Sequence, residues 1–333
     1  ESKIMPLPFI LLGAAAAAAA AGVGAGVKGA MDSKEANDVN DRAKNIVDEA
    51  HDKLDISRKA THSALENLGR QKIYVLDNSV RRFIEAFEKL KNVDLENSTG
   101  LDEVNKLKFD KASFEELKKI SLEVASMLAG GIGGIGGGAL AAFGAYSATM
   151  TFAAASTGTA IASLSGVAAT NATLAFLGGG SLAAGGLGMA GGMAVLGGLV
   201  AGPALAVMGF VMLGAGSKKL DDAYSNLAEA RKISEELENL TISTNAIRRR
   251  TQMFERLLIR VDCMFSEAIY NLEKVINDYG IDYSSYNDDS KKIVASNIKL
   301  AETTKAILDT PILTDNGSIS EESDKLIETY SNI

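Results

Sequence analysis

One long stretch of the chain, Val124 to Ser217, contains no Asp, Glu, Lys, Arg or His. Glu123 is the last charged residue before it and Lys218 is the first after it, although charged residues make up 23% of the whole chain. A water-facing surface of this length would be expected to carry charges. We call Val124–Ser217 the charge-free block and interpret it as the membrane-inserting part of the protein.

The charge-free block is long enough for several bilayer crossings, because one spanning helix needs roughly 20 apolar residues. Its two most apolar stretches are Val124–Tyr146 and Met193–Gly216. These predict a hairpin of two transmembrane helices, with a softer re-entrant or pore-lining hairpin over Ser147–Gly192. Ala and Gly gain little from lipid, so both a latent folded form that inserts later and a permanent membrane domain stay open.

Small residues recur every fourth position within the charge-free block, a spacing that lets helix backbones approach closely. The predicted membrane-helix packing residues are Gly130, Gly134, Gly138, Gly188 and Gly192. The predicted pore-lining or hairpin-tip residues are Ser147, Thr149, Thr151, Ser156, Thr157 and Thr159. The competing interpretation is a flexible glycine-rich loop, although a loop has no reason to exclude every charge.

A second uncharged segment, Ile4–Val27, stands between Lys3 and Lys28. We treat residues 1–31 as a separate apolar segment and favour a retained membrane helix or amphiphilic arm. A signal peptide, with its apolar centre over residues 9–21, is a second interpretation. An alanine-rich helix packed within the body is a third.

Outside these segments, apolar residues recur at alternating spacings of three and four, which is typical of coiled-coil helices. Residues 32–123 form the first half of a predicted helical stalk, 218–280 its long second helix, and 281–333 a set of C-terminal helices. Asp32 or Ser33 is the expected start of the first helix, Thr241–Asn245 a soft point, and Gly280 a stop. The predicted fold class is all-α: an elongated bundle of long coiled-coil-like helices with a glycine- and alanine-rich hydrophobic hairpin block.

The rest of the sequence argues against several function classes. A formal charge of −8 disfavours nucleic acid as a partner, because phosphate binding needs a basic face. Three Gly-x-Gly-x-x-Gly matches are incomplete as dinucleotide sites: two lack an acidic partner, and the first has Asp48 but follows a polyalanine run and no credible strand. His51 and His62 lie too far apart on one helix to share a metal, and Cys263 is expected to be a packed thiol. We predict no catalytic, cofactor-binding or metal-binding residue, and therefore no enzyme.

Long patterned helices around an uncharged insert resemble the helical pore-forming toxins of the cytolysin A and haemolysin BL type. This architectural resemblance covers roughly residues 32–309 and implies a helical rod that conceals a hydrophobic head until it inserts. Pore-forming colicins and the apolipoprotein L domain are looser parallels. The string LAFLGGGSLAAGGLGMAGGMAVLGGLVAGPALAV, which begins at Leu174, is similar to one in bacterial membrane-associated proteins without an established activity.

Two functional hypotheses follow. The first is a membrane-inserting, oligomerising helical protein that permeabilises or perturbs a bilayer, in the manner of a pore-forming toxin or effector. The second is a permanently membrane-anchored coiled-coil scaffold that recruits a partner protein. The expected partners are a lipid bilayer and further copies of the chain, with a partner protein in the second case. The expected location is a bacterial cytoplasmic membrane, or a target membrane after secretion.

Overall fold

The computed structural model describes residues 28–93, 111–129, 137–146, 220–314 and 318–330. Within these ranges the chain forms helices α1 (Lys28–Val75), α2 (Arg81–Phe87), α3 (Lys111–Ala129), α4 (Gly137–Ala145), α5 (Leu220–Tyr279), α6 (Asp288–Asp309) and α7 (Glu321–Tyr330). A five-residue π-helical turn, Leu76–Val80, joins α1 to α2. The described residues contain no strand, only two isolated bridges, which confirms the all-α prediction.

Two long helices, α1 and α5, form the axis of the body and run parallel to each other. Their cross-contacts keep a nearly constant offset along the chain. Tyr224 bonds to Glu35 (3.3 Å), Thr61 to the carbonyl of Thr244 (3.0 Å), and Ser79 to Asp262 (2.5 Å). At 1.5 Å per residue, the 60 residues of α5 extend about 90 Å. Because the helices are parallel, Lys28 and Leu220, which follow the two uncharged segments, lie at the same end.

The axis has a thin half and a thick half. In the thin half, among the described residues, α1 and α5 pack only against each other. The contact uses small and aliphatic residues: Ala36, Val39, Ala43, Val47, Ala50 and Leu54 against Ala223, Leu227, Ala230, Ile233 and Leu237. In the thick half, α2, α3, α6 and α7 surround the axis and enclose a larger core with several aromatic rings. Helix α3 runs antiparallel to the π-helical turn and α2: Lys118 binds Glu88, and further along α3 the Ser121 hydroxyl donates to the Leu76 carbonyl (2.9 Å).

Capping residues next to the helix ends determine where α5, α6 and α7 begin or end. Gly280 ends α5 with a φ of +80°, as expected for a left-handed C-terminal position. Asn287 caps α6 by accepting a hydrogen bond from the Ser290 N–H (2.9 Å). Ser320 caps α7 in the same way through the Ser323 N–H (3.1 Å). Arg250 then ties α7 to α5 by binding the Asp324 carboxylate.

Two predictions about helix continuity are wrong. Helix α1 begins at Lys28 and passes through the predicted cap at Asp32–Ser33, because no proline lies between these positions and a single glycine is tolerated in a helix. Helix α5 continues through the predicted soft point. The hydroxyls of Thr241, Ser243 and Thr244 bond to carbonyls four residues earlier in the same helix (2.7–3.0 Å), so their polarity is satisfied without a break.

The prediction of transmembrane helices is also corrected. Among the described residues, no helix combines the length and the apolar character needed to cross a bilayer. Helix α4, which lies inside the charge-free block, is only nine residues long, against the roughly 20 that a crossing requires. The long helices α1 and α5 carry charges along their length. The remainder of the block and the segment Ile4–Val27 lie outside the described residues.

Candidate functional site: the docking site of α4

Helix α4 is part of the charge-free block, and the charged helices of the body cover it. Its buried residues are Leu140, Ala141, Phe143, Gly144 and Ala145, followed by Tyr146. Burial of a large apolar side chain contributes about 1.5–3 kcal/mol, so Leu140 and Phe143 alone supply a substantial docking energy. The contact surface is formed mainly by α1 and by the connection between α6 and α7. We call this contact surface the α4 docking site.

Two glycines bring the backbones of α1 and α4 into direct contact. A Cβ atom on Gly69 of α1 would lie 2.0 Å from the carbonyl oxygen of Leu140. A Cβ atom on Gly144 of α4 would lie 2.0 Å from the carbonyl oxygen of Leu65. No real side chain tolerates such a distance, so each helix needs glycine at its crossing position. The same small-residue packing that serves helices in lipid here joins the block to the body.

The last carbonyl groups of α4 receive hydrogen bonds from outside the helix. The backbone N–H groups of Ile312 and Leu313 both donate to the carbonyl of Ala145, at 2.8 and 3.2 Å. The amine of Lys72 donates to the carbonyl of Tyr146 at 2.8 Å. A helix leaves its final carbonyls without intrahelical partners. Three donors from two other parts of the body therefore fix the end of α4.

Lys72 is unusual because its side chain has no exposed surface. Its Nζ lies 5.9 Å from the centre of the Phe143 ring, so α4 lies directly beside the amine. Burial lowers the pKa of the Lys72 amine to about 7, while the charge of Asp309 opposes part of that fall. Burial of a charged lysine costs free energy. Protonation of Lys72 therefore destabilises the docking site at the end of α4.

Next to the docking site, charged side chains of α3 and α6 form a network of ion pairs. Lys305 binds Asp309 and also Glu116, the latter at 2.9 Å. Burial lowers the pKa of Lys305, but its hydrogen bonds to Asp309 and Glu116 raise it more, so the net direction is upward. Asp309 ends α6 immediately before the connection that binds Ala145. The network therefore connects α3, through Glu116 and Lys305, to the end of α6, from which the connection that binds α4 continues.

Most residues predicted as functional sites lie outside the described ranges. These are the packing residues Gly130, Gly134, Gly188 and Gly192 and the pore-lining candidates Ser147, Thr149, Thr151, Ser156, Thr157 and Thr159. Gly138 lies in the first turn of α4.

His51 and His62 both lie on α1. Among the described residues, no three His, Cys, Asp or Glu side chains gather as a metal site. Cys263 is exposed, which corrects the prediction of a packed thiol.

Sequence reasoning missed the three residues that define the docking site: Gly69, Lys72 and Gly144. Lys72 does carry a recognisable signal. It follows Leu68 by four residues and precedes Leu76 by four, so it occupies the buried face of α1. Gly69 gives no such signal, because a glycine at a helix crossing and one that only weakens a helix are identical in sequence.

Comparison of the chain with protein-family models, with curated proteins and with solved structures finds no match.

Proposed function

We propose that this is a non-enzymatic helical protein that perturbs or permeabilises a lipid bilayer, and that its body holds the first part of the charge-free block under cover before release. The observation that carries the proposal is the docking of α4. Apolar residues of the block are buried against a charged body by a glycine crossing and three hydrogen bonds to two carbonyls. This arrangement suits an apolar segment that is kept from water until a membrane is reached.

The parallel course of α1 and α5 gives the proposal further support. The segment Ile4–Val27 and the C-terminal end of the charge-free block join the body at the same end of the axis, through Lys28 and Leu220. A parallel pair therefore directs both apolar attachments toward one surface. Oligomerisation at a bilayer would then bring several copies of these segments together.

A scaffold function is the second candidate, and a specific observation favours it. The thin half exposes large apolar residues: Ile56 is 69% exposed and Ile242 is 63% exposed. Isolated exposed apolar residues are common, but these two lie on a pair of helices that no other described helix covers. In this alternative the block anchors the protein and the thin half recruits a partner.

Dye release from liposomes tests the proposal. Purified protein is added to neutral and to anionic vesicles that contain dyes of graded size, and size-limited leakage is expected. Val200→Asp places a charge in the charge-free block, which costs about 2.5–3.5 kcal/mol at a bilayer centre, and should abolish leakage.

The matched control is Ile242→Asp, which places the same charge on the exposed surface of the thin half. Leakage by this variant should equal that of the unaltered protein. Vesicles that stay tight while the protein is firmly bound to them would refute permeabilisation. Loss of partner recruitment by Ile242→Asp alone would favour the scaffold.

A further inference from the structure

We propose that Lys72 is a proton-responsive clasp for α4, which holds the docked helix as a neutral amine and favours its release when it becomes charged. The physiological use of this release rests on the proposed function above. The clasp itself rests on the geometry of the α4 docking site, where one fully buried amine joins α1 to the end of the first described helix of the block.

The described surroundings of Lys72 offer its amine a hydrogen-bond acceptor but no carboxylate in direct contact. Its hydrogen bond goes to a backbone carbonyl of Tyr146, and a neutral amine donates such a bond as well as an ammonium does. Helix α4 contributes no charged residue. In the described part of the chain, Lys72 forms no ion pair. The site therefore accepts the amine but compensates poorly for its positive charge.

The helices α3, α5 and α6 carry the other charged groups of this part of the body. Asp309 of α6 acts on Lys72 through its charge, but it already binds Lys305, which also binds Glu116 of α3. Glu123 stands near the end of α3. Asp262 of α5 bonds to Ser79, about two helical turns beyond Lys72. Burial raises the pKa of Asp262, so its effect on stability has the opposite sign to that of Lys72.

The direction of the response follows from the two states of α4. In the docked state burial lowers the pKa of Lys72 to about 7, whereas in the released state the amine is in water and its pKa returns toward 10.5. Docking is therefore strongest above the higher value. Between about pH 10 and pH 7, each unit of acidification should favour release roughly tenfold. Below pH 7 both states hold the proton and the dependence levels off.

Hydrogen–deuterium exchange of the full chain measures the release without a membrane. Exchange of peptides that cover residues 137–146 is followed at pH 9, 8, 7 and 6, after correction for the intrinsic pH dependence of exchange. Opening of α4 should increase about tenfold per unit from pH 9 to pH 7 and little further at pH 6. Peptides from the middle of α5 report global unfolding and should not follow this trend.

Three variants separate the clasp from other titrating groups. Lys72→Met removes the proton and should make the opening of α4 independent of pH. Lys72→Arg retains a charge at every pH and should leave α4 open throughout. The matched control Lys59→Met removes a lysine whose side chain is 82% exposed on the same helix, and it should preserve the response of the unaltered protein.

The clasp is refuted if the unaltered protein shows the same corrected opening of α4 at pH 9 and pH 7, and this result needs no variant to fold. The clasp is also refuted if Lys72→Met retains the full pH response. Failure of the proposed function is distinct, because it would leave the exchange response intact while vesicles stay tight at every pH. Leakage that is independent of pH and of Lys72 would retain the function and remove the clasp.

Discussion

The thin and thick halves of the α1–α5 pair are stabilised by different kinds of core. In the thin half each helix packs against one other described helix, and alanines such as Ala43 and Ala230 line the contact. In the thick half, Phe83 packs against Phe87, Phe114 and Phe265, with ring centres 5.4–6.2 Å apart. Fewer apolar atoms leave water per residue in the thin half. We infer that the thick half contributes most of the free energy of unfolding. The thin half fixes the register, which is the alignment of α1 relative to α5 along their common axis.

The α4 docking site lies where the thick half begins along α1. Gly69 and Lys72 precede the π-helical turn, and the aromatic cluster follows it. At this turn Ser79 contacts both Asp262 and Ser266 of α5, at 2.5 and 3.0 Å. The charge-free block is thus attached to the stable half, while α5 emerges from the block at the end of the thin half.

The largest expected effect comes from the aromatic cluster. Phe83→Ala removes the ring that contacts three others and should lower the free energy of unfolding by about 3–5 kcal/mol. Chemical denaturation followed by circular dichroism measures the change. Tyr270→Ala, at a side chain that is 64% exposed, is the control and should change stability little. Equal losses from the two variants would contradict the assignment of this stability to the buried aromatic cluster of the thick half.

The next effect concerns the glycine crossing. Gly69→Ala places a methyl group against the Leu140 backbone, and overpacking of this kind costs about 1–3 kcal/mol. Because α4 can move away, exchange of residues 137–146 should rise more than exchange of α5. Gly280→Ala is a control that should destabilise the protein through backbone strain and not through overpacking. Its Cβ meets nothing within 4 Å, but its φ of +80° costs about 1–2 kcal/mol without exposing α4. Unchanged protection of α4 in Gly69→Ala would count against the crossing.

The smallest effect belongs to the thin half. Asn226 donates to Asn40 across the pair at 3.0 Å, and polar pairs in such seams fix register at a cost in stability. Asn226→Leu should destabilise by about 1 kcal/mol, because the Asn40 amide loses this partner. The double variant N40L/N226L should recover stability but permit other pairings, visible as new oligomers by light scattering.

A control for that pair is Glu49→Ala with Lys53→Ala, which removes an exposed ion pair within α1. Exposed pairs of this kind contribute little, so stability and oligomeric state should stay as they are. If N40L/N226L also leaves the oligomeric state unchanged, the thin half does not set register through this contact.

The helices were predictable because their cores repeat with a helical period. Leu227, Leu237 and Leu258 mark the buried face of α5 in the sequence and are buried in the structure. Gly280 and Ser320 were predictable because a left-handed stop and a side-chain cap depend only on neighbouring residues.

The docking site was not predictable, because its geometry depends on residues far apart in the chain. The parallel offset between α1 and α5 results from packing along their whole length. Gly69 requires knowledge of the backbone that crosses it. Lys72 falls at an apolar position of the helical period, and charged residues are almost never fully buried without partners, so a solvent-facing interpretation was the natural one.

A reversible tether between α4 and the α6–α7 connection tests the central claim most directly. Ala145 and Ile312 are joined by a 2.8 Å backbone hydrogen bond, which places their Cα atoms within the range of a disulfide. The variant A145C/I312C carries C263S to remove the exposed native thiol. The oxidised, tethered protein should leave liposomes intact, and reduction should restore leakage to the level of C263S. Equal leakage by the tethered and reduced forms would show that release of α4 is not required for action on a bilayer.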